Sequence, residues 1–335
     1  MTAGPIRRRR FITITAAAAG MPLLLARRPA LSQARSLRVW SGAALGADAT
    51  LQINHPDWAE ADRLIERSLA EVARLERMFS LYRPDSALSR LNRDGVLDNP
   101  PPDLVRLLSE SQRFSVLMGG AFDVTVQPLW NVYAAHFARP GAEASGPPRA
   151  LIQAALHLVG HDRVVLDPAR IFFAVPGMAV TLNGIAQGYV TDRVVDLLRN
   201  ADIAHALVDM GETHAIGEHP DGHPWNVGLE DPSAPGLVAE RIPLQDRAVA
   251  TSGGYGTQFD PEGRFNHIFD PTRGTTSWRY KAVSVVARDA TTADALSTAM
   301  TRLPRAQCED LVQHLGLTAR FVMPDGQRFL QGRDL

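Results

Sequence analysis

In the stretch Thr291 to Met300, TTADALSTAM, a carboxylate and a hydroxyl, Asp294 and Thr298, stand four residues apart among alanines, a leucine and a methionine. On a helix that spacing projects both side chains from one face. Two oxygens converging in this way suit a hard cation such as Mg2+, which keeps waters or substrate phosphates on its remaining positions. The same residues admit a structural reading, in which Thr291-x-x-Asp294 is a capping box and Thr298 fills space. Three other stretches carry polar groups in unusual surroundings. TLNGIAQGYVTDRVVDLL, residues 181–198, runs a glycine-bearing turn into an amphipathic helix, and glycine there lets backbone approach a ligand closely. It lacks the lysine–serine pair of a P-loop and the glycine spacing of a Rossmann fingerprint. TSGGYGTQFDPEGRFNHIFDPTRG, 251–274, is dense in turn formers and holds His267 beside Ile268 and Phe269. A lone histidine in such hairpin loops is more often structural than chemical. GGAFDVTVQPLW, 119–130, sets Asp123 in an apolar run, where it can cap a turn or hold a ligand's amide or hydroxyl.

The elements that must position these groups follow from periodicity. Trp58, Ala61, Leu64, Ile65, Val72, Leu75 and Phe79 recur at helical spacing and predict a long amphipathic helix over 57–79, after a strand in ATLQINH. Arg83-Pro84 breaks helical geometry, and Asp85 or Ser86 can cap a short new turn. Residues 102–118 repeat the helical pattern until Gly119-Gly120 ends it. RPGAEASGPPR, 139–149, reads as a surface loop or linker and is where a domain break would fall. Beyond it, strands (RVVLD, RIFFAV, HALVDM, WNVGLE, AVSVVA) alternate with helices near 185–200, 292–303 and 305–315. The pattern predicts an α+β or mixed α/β architecture without internal repeats.

The bulk composition is that of a globular protein: 335 residues, 45% hydrophobic and 21% charged. A net charge of −1 gives no electrostatic reason to expect a nucleic-acid partner, which usually needs a clustered basic face. Residues 1–34 differ from the rest. RRRRF, an apolar run and Ser32-Gln-Ala34 form a charged, apolar, then small-residue export signal, and Arg8, Arg9, Arg10, Phe11 and Ile12 resemble the twin-arginine signature. The apolar run is about 15 residues, short of the roughly 20 that span a bilayer, so cleavage and a periplasmic location are expected. Removing the leader takes the formal charge to about −7. The single cysteine, Cys308, permits no internal disulfide.

Taken in order, the motifs resemble the ApbE family of FAD:protein FMN transferases. LYRPDSALSRLN is similar to the family's Y-R-x-x-S-x-L-S-x-L-N, GGAFDVTVQPLW to G-x-F-D-x-T-x-x-P-L, and NGIAQGYVTD to G-I-A-K-G-Y-x-x-D. VDMGETHAIG, PWNVGLEDP, ATSGGY, NHIFDPTRG and ADALSTAM then follow in family order, from about residue 40 to the C-terminus. The resemblance implies an α+β fold of the ApbE type, related to the T-fold, with mixed sheets packed with helices and a flavin and metal site between two halves. It implies binding of FAD and Mg2+, release of AMP, and attachment of FMN to a threonine of an acceptor flavoprotein. Asp294, Thr298 and the backbone carbonyl of Gly184 fall on its metal positions. Leu45, Tyr82, Ala121, Phe122, Asp123, Thr181, Gln187 and Phe269 fall on positions facing the flavin nucleotide. His267 is the candidate for accepting the threonine proton or steadying the transferring phosphate.

The chain departs from the family pattern at several of these positions. Thr181 stands where Asp is usual and Gln187 where Lys is usual; Leu45-Gly46-Ala47 replaces M-G-T; Glu212 replaces the second glycine of G-G-D; and Arg273 occupies a common threonine position. These changes keep two alternatives open, an FAD-binding or delivery protein and an FAD pyrophosphatase that releases free FMN. The leader together with Glu212 points to the NosX-like branch, associated with a membrane-bound acceptor of nitrous oxide respiration.

Overall fold

The computed structural model describes residues 37–234 and 236–333, so the leader at 1–34 lies outside the described residues. The chain begins with a hairpin, β1 (Leu37–Ala44) and β2 (Ala47–Asn54), followed by α1 (Trp58–Phe79), α2 (Ala87–Asp94), β3 (Val96–Asp98) and α3 (Pro102–Leu117). Next come α4 (Gln127–Phe137), α5 (Arg149–Leu156), β4 (Val164–Asp167), β5 (Arg170–Phe173) and α6 (Ala186–Arg199). Strands β6 (Ala206–Asp209), β7 (Thr213–Ile216), β8 (Trp225–Glu230), β9 (Val238–Leu244), β10 (Arg247–Ser252) and β11 (Ala282–Ala287) precede α7 (Ala290–Met300), α8 (Arg305–Leu315), β12 (Thr318–Val322) and β13 (Arg328–Gly332).

The architecture is α+β. One eight-stranded sheet, ordered β1-β2-β6-β7-β10-β11-β12-β13, is accompanied by a three-stranded sheet β3-β5-β4 and the hairpin β8-β9. Every pairing among the described strands is antiparallel. Strand β11 shows why its sequence, AVSVVA, is a continuous apolar run: all six positions are buried. Val283, Val285 and Ala287 face the helices, while Val286 joins Val249, Trp225 and Ile242 under the β8-β9 hairpin on the opposite face. A strand covered on both sides loses the apolar–polar alternation of a half-exposed one.

Helix α1 buries Ala61, Leu64, Ile65, Val72, Leu75 and Phe79, as its spacing predicts. Trp58 does not join them: it is 51% exposed and lies beneath Arg38, whose guanidinium carbon is 5.4 Å from its ring centre. Ser86, rather than Asp85, caps α2 by accepting Ser89 N–H at 2.9 Å. Gly119 and Gly120, at φ 57° and 79°, end α3, where left-handed backbone favours glycine. Residues 139–148 connect α4 to α5, and these two helices pack against each other.

Asp209 at the end of β6 is 9% exposed, and burial, with Asp48 adding repulsion, raises its pKa to about 7. Its Oδ1 accepts Gly211 N–H at 3.1 Å. The native state therefore holds a proton that the unfolded chain releases near pH 4, and stability falls as pH rises towards 7 before levelling. Asp209→Asn keeps the acceptor and cannot ionise. Its melting temperature should match the wild type near pH 4 and exceed it at pH 8, by an amount equivalent to at most about 4 kcal/mol. Equal melting at both pH values refutes the shifted carboxyl.

Candidate active site

The four stretches singled out in the sequence meet around one cavity beneath the start of α6 and beside α7. Asp123 opens it. Its Oδ1 accepts Thr125 N–H at 2.8 Å and Thr125 Oγ1–H at 2.5 Å, capping the 3-10 turn Val124–Val126, and its Oδ2 accepts His161 N–H at 3.0 Å. The carboxylate thus joins the Val124–Val126 turn to His161, while Ala121 and Phe122 just before it line the cavity. Thr181 is fastened to that loop by its N–H, which donates to Val124 O at 2.7 Å. Thr181, Gly184 and Gln187 form the next wall. Gln187 is 5% exposed, packs on Gly211, and has a buried Nε2 without a hydrogen-bond partner.

Helix α7 supplies Asp294 and Thr298 on one face. Asp294 is 3% exposed and its Oδ2 accepts Gly188 N–H at 3.0 Å, which ties α7 to the first turn of α6. Thr298 Oγ1 shares a hydrogen bond with Ser252 Oγ at 3.0 Å. Gly184 lies so close to this helix that a Cβ on it would meet Thr298 Oγ1 at 3.0 Å, a contact that glycine avoids. The capping-box reading of Thr291-x-x-Asp294 is corrected here. The helix cap is Asp289, which accepts Thr292 N–H at 2.7 Å, while Thr291 Oγ1 donates to Asp192 on α6. Asp294 is left to face the cavity.

Gly184, Asp294 and Thr298 offer a backbone carbonyl, a carboxylate and a hydroxyl, all hard oxygen donors of the kind Mg2+ takes. Among the described residues no cluster of three His, Cys, Asp or Glu side chains forms a softer or more anionic alternative. A donor set with one carboxylate leaves coordination positions for phosphate oxygens and water.

His267 enters from the opposite loop. Its Nδ1 lies 3.2 Å from Thr257 O, and because a carbonyl only accepts, Nδ1–H is the donor. Phe269 lines the cavity and packs on Tyr133, with ring centres 5.1 Å apart.

Two residues carried over from the family pattern are not brought to this cavity. Leu45 sits in the β1-β2 turn at φ 49° and packs on the main core. Tyr82 is 86% exposed in a neighbouring groove, which meets the cavity at Asn183. Conversely, Arg302 lines the cavity and was not foreseen. Its Nη1 donates to Ala121 O at 2.7 Å and its Nη2 pairs with Asp270 Oδ2 at 2.9 Å, joining the 121 loop to the 270 loop. Burial pulls the Arg302 pKa down, opposed by Asp270. Burial likewise pushes the Asp270 carboxyl up, but Thr272 and Arg302 outweigh it and hold it below the usual carboxylate range. Glu212 and Tyr255 also line the cavity, and burial, then Glu230 and Glu212, raise the phenol's pKa.

The sequence model of the ApbE family matches residues 45–321, which includes every element around the cavity. The chain belongs to the ApbE family. Among its relatives, the FAD:protein FMN transferase of Vibrio cholerae is 33% identical over 272 residues, covering 78% of this chain and 79% of that protein. That of Haemophilus influenzae is 29% identical over 285 residues, covering 81% and 82%. The ApbE fold is shared with the apo flavinyl transferase ApbE of Pseudomonas stutzeri, at TM-score 0.75 and 27% identity over 88% of this chain and 95% of that one. The Thermotoga maritima ApbE protein superposes at TM-score 0.78, again with 27% identity, over 88% and 97%.

Proposed function

We propose that this chain is a Mg2+-dependent FAD:protein FMN transferase that releases AMP and joins FMN to a threonine of an acceptor flavoprotein. The observation that carries the reading is the meeting of Gly184, Asp294 and Thr298 on one wall of the cavity that His267 also lines. In the reaction, the threonine oxygen of the acceptor attacks the FMN-side phosphorus, the bond from that phosphorus to the bridging oxygen breaks, and AMP departs with the bridge. Gly184, Asp294 and Thr298 would hold Mg2+, which when bound neutralises charge on the diphosphate. His267 Nε2 takes the threonine proton, a task for which Nδ1–H, anchored on Thr257 O, orients the ring. Phe122 and Phe269 provide apolar surface for a planar ring system.

The twin-arginine leader supports a periplasmic site of action, and with Glu212 it favours a membrane-bound acceptor of nitrous oxide respiration. The test uses the protein with FAD, MgCl2 and an acceptor domain already shown to be modified by another transferase. Covalent flavin on the acceptor and an equal amount of AMP are expected. AMP with free FMN would instead identify a pyrophosphatase, and intact FAD a delivery protein.

A further inference from the structure

Asp192 closes the G-Y-x-x-D segment, and nothing in the transfer reaction calls on it. It lies on α6, two turns beyond Gly184, and its carboxylate reaches across to the start of α7. Oδ1 accepts Ala290 N–H at 2.9 Å; Oδ2 accepts Thr291 N–H at 2.8 Å and Thr291 Oγ1–H at 2.6 Å. His214 on β7 lies behind it, with Nδ1 3.1 Å from Oδ1, so that Nδ1 carries the proton. The imidazole is 1% exposed and its Nε2 has no hydrogen-bond partner. The bond to Asp192 is thus the one hydrogen bond this buried ring makes among the described residues.

The first N–H groups of a helix have no partner within it. On α7 they are divided between two carboxylates: Asp289 takes Thr292 N–H, while Asp192 takes those of Ala290 and Thr291. Asp289 belongs to the helix and moves with it, so it fixes nothing in space. Asp192 belongs to α6 and therefore sets both the rotation and the axial position of α7 against α6. The candidate metal donors are split between these same helices, with Gly184 at the entry to α6 and Asp294 and Thr298 on α7.

We propose that Asp192, held by His214, is a positioning residue that sets the spacing of the two halves of the metal donor set. The inference rests on the reading of Gly184, Asp294 and Thr298 as Mg2+ donors. Asp192→Asn keeps the shape but turns an acceptor of two bonds into a donor facing Thr291 N–H and Oγ1–H. Thr291→Val removes the hydroxyl bond alone. Asp57→Ala is the control for plain helix-cap loss, because Asp57 caps α1 away from the cavity.

Mg2+ is titrated calorimetrically into each FAD-bound protein without acceptor, and the Mg2+ concentration that half-saturates transfer is measured beside it. Asp192→Asn should weaken Mg2+ binding at least about tenfold and Thr291→Val about threefold, with transfer recovering at high Mg2+. Asp57→Ala should lower the melting temperature and leave Mg2+ binding unchanged. An Asp192→Asn protein with Mg2+ affinity within twofold of the wild type overturns the inference. If that variant does not fold, an unchanged affinity in Thr291→Val overturns it. A wild-type protein that binds no Mg2+ overturns the reading of the metal donors themselves, which is a separate failure.

Discussion

Asp294→Ala should abolish FMN transfer, lowering turnover by at least about a thousandfold, while leaving the protein folded. The carboxylate is the one anion among the three candidate donors, so its loss removes the charge that would hold a divalent ion against a diphosphate. The fold should survive because two effects on stability oppose each other. Gly188 N–H loses its acceptor, which costs about 1 to 3 kcal/mol, whereas alanine is a better helix former than aspartate and no buried carboxylate remains to be desolvated. The melting temperature should therefore move by only a few degrees. Asp294→Asn separates ligand from scaffold. Its amide oxygen still accepts Gly188 N–H but carries no charge, so a purely structural Asp294 predicts recovered activity and a metal ligand predicts almost none. Flavin on the acceptor, read by in-gel fluorescence, decides; activity in Asp294→Ala within twofold of wild type would refute the ligand role.

The parts of this site that were legible in the sequence are those set by local spacing. The 3.6-residue period of α1 and the apolar run of β11 each follow from which faces are covered. The Asp294–Thr298 pair follows from two positions sharing a helical face. What could not be read are bonds between distant segments. Thr291 resembles a cap until Asp192, 99 residues earlier in the chain, is found accepting its hydroxyl. Arg302 carries no local signal, because its partner carbonyl, that of Ala121, lies 181 residues away. Leu45 and Tyr82 show the converse. Their place in a motif was recognisable, but the β1-β2 turn and the loop before α2 leave both outside the cavity lining. Helices α4 and α5 escaped notice because their apolar residues serve a small aromatic cluster around Tyr133 rather than the main core.

Gly188→Ala should be strongly destabilising, against the usual sign for a glycine inside a helix. In most helices this substitution stabilises by about 0.5 to 1 kcal/mol. Here a Cβ would lie 2.3 Å from Ala290 O, 2.6 Å from Ala290 C and 2.8 Å from Thr291 Cα. These are backbone atoms of a helix start that Asp192 already holds, so no side chain can rotate away. Helices α6 and α7 must separate instead, and packed interiors resist such displacement. Separation also lengthens the Gly188–Asp294 and Asp192–Thr291 bonds, so stability and transfer fall together. We expect a loss of at least about 3 kcal/mol in urea unfolding, or failure to accumulate soluble protein. Gly316→Ala gives the scale for backbone strain without collision. That glycine ends α8 at φ 64° with no atom within 4 Å of its would-be Cβ, so its replacement should cost only about 1 kcal/mol and spare transfer. If the two variants prove equally stable, the helices are not in backbone contact at Gly188, and the cavity wall they form is softer than its geometry requires.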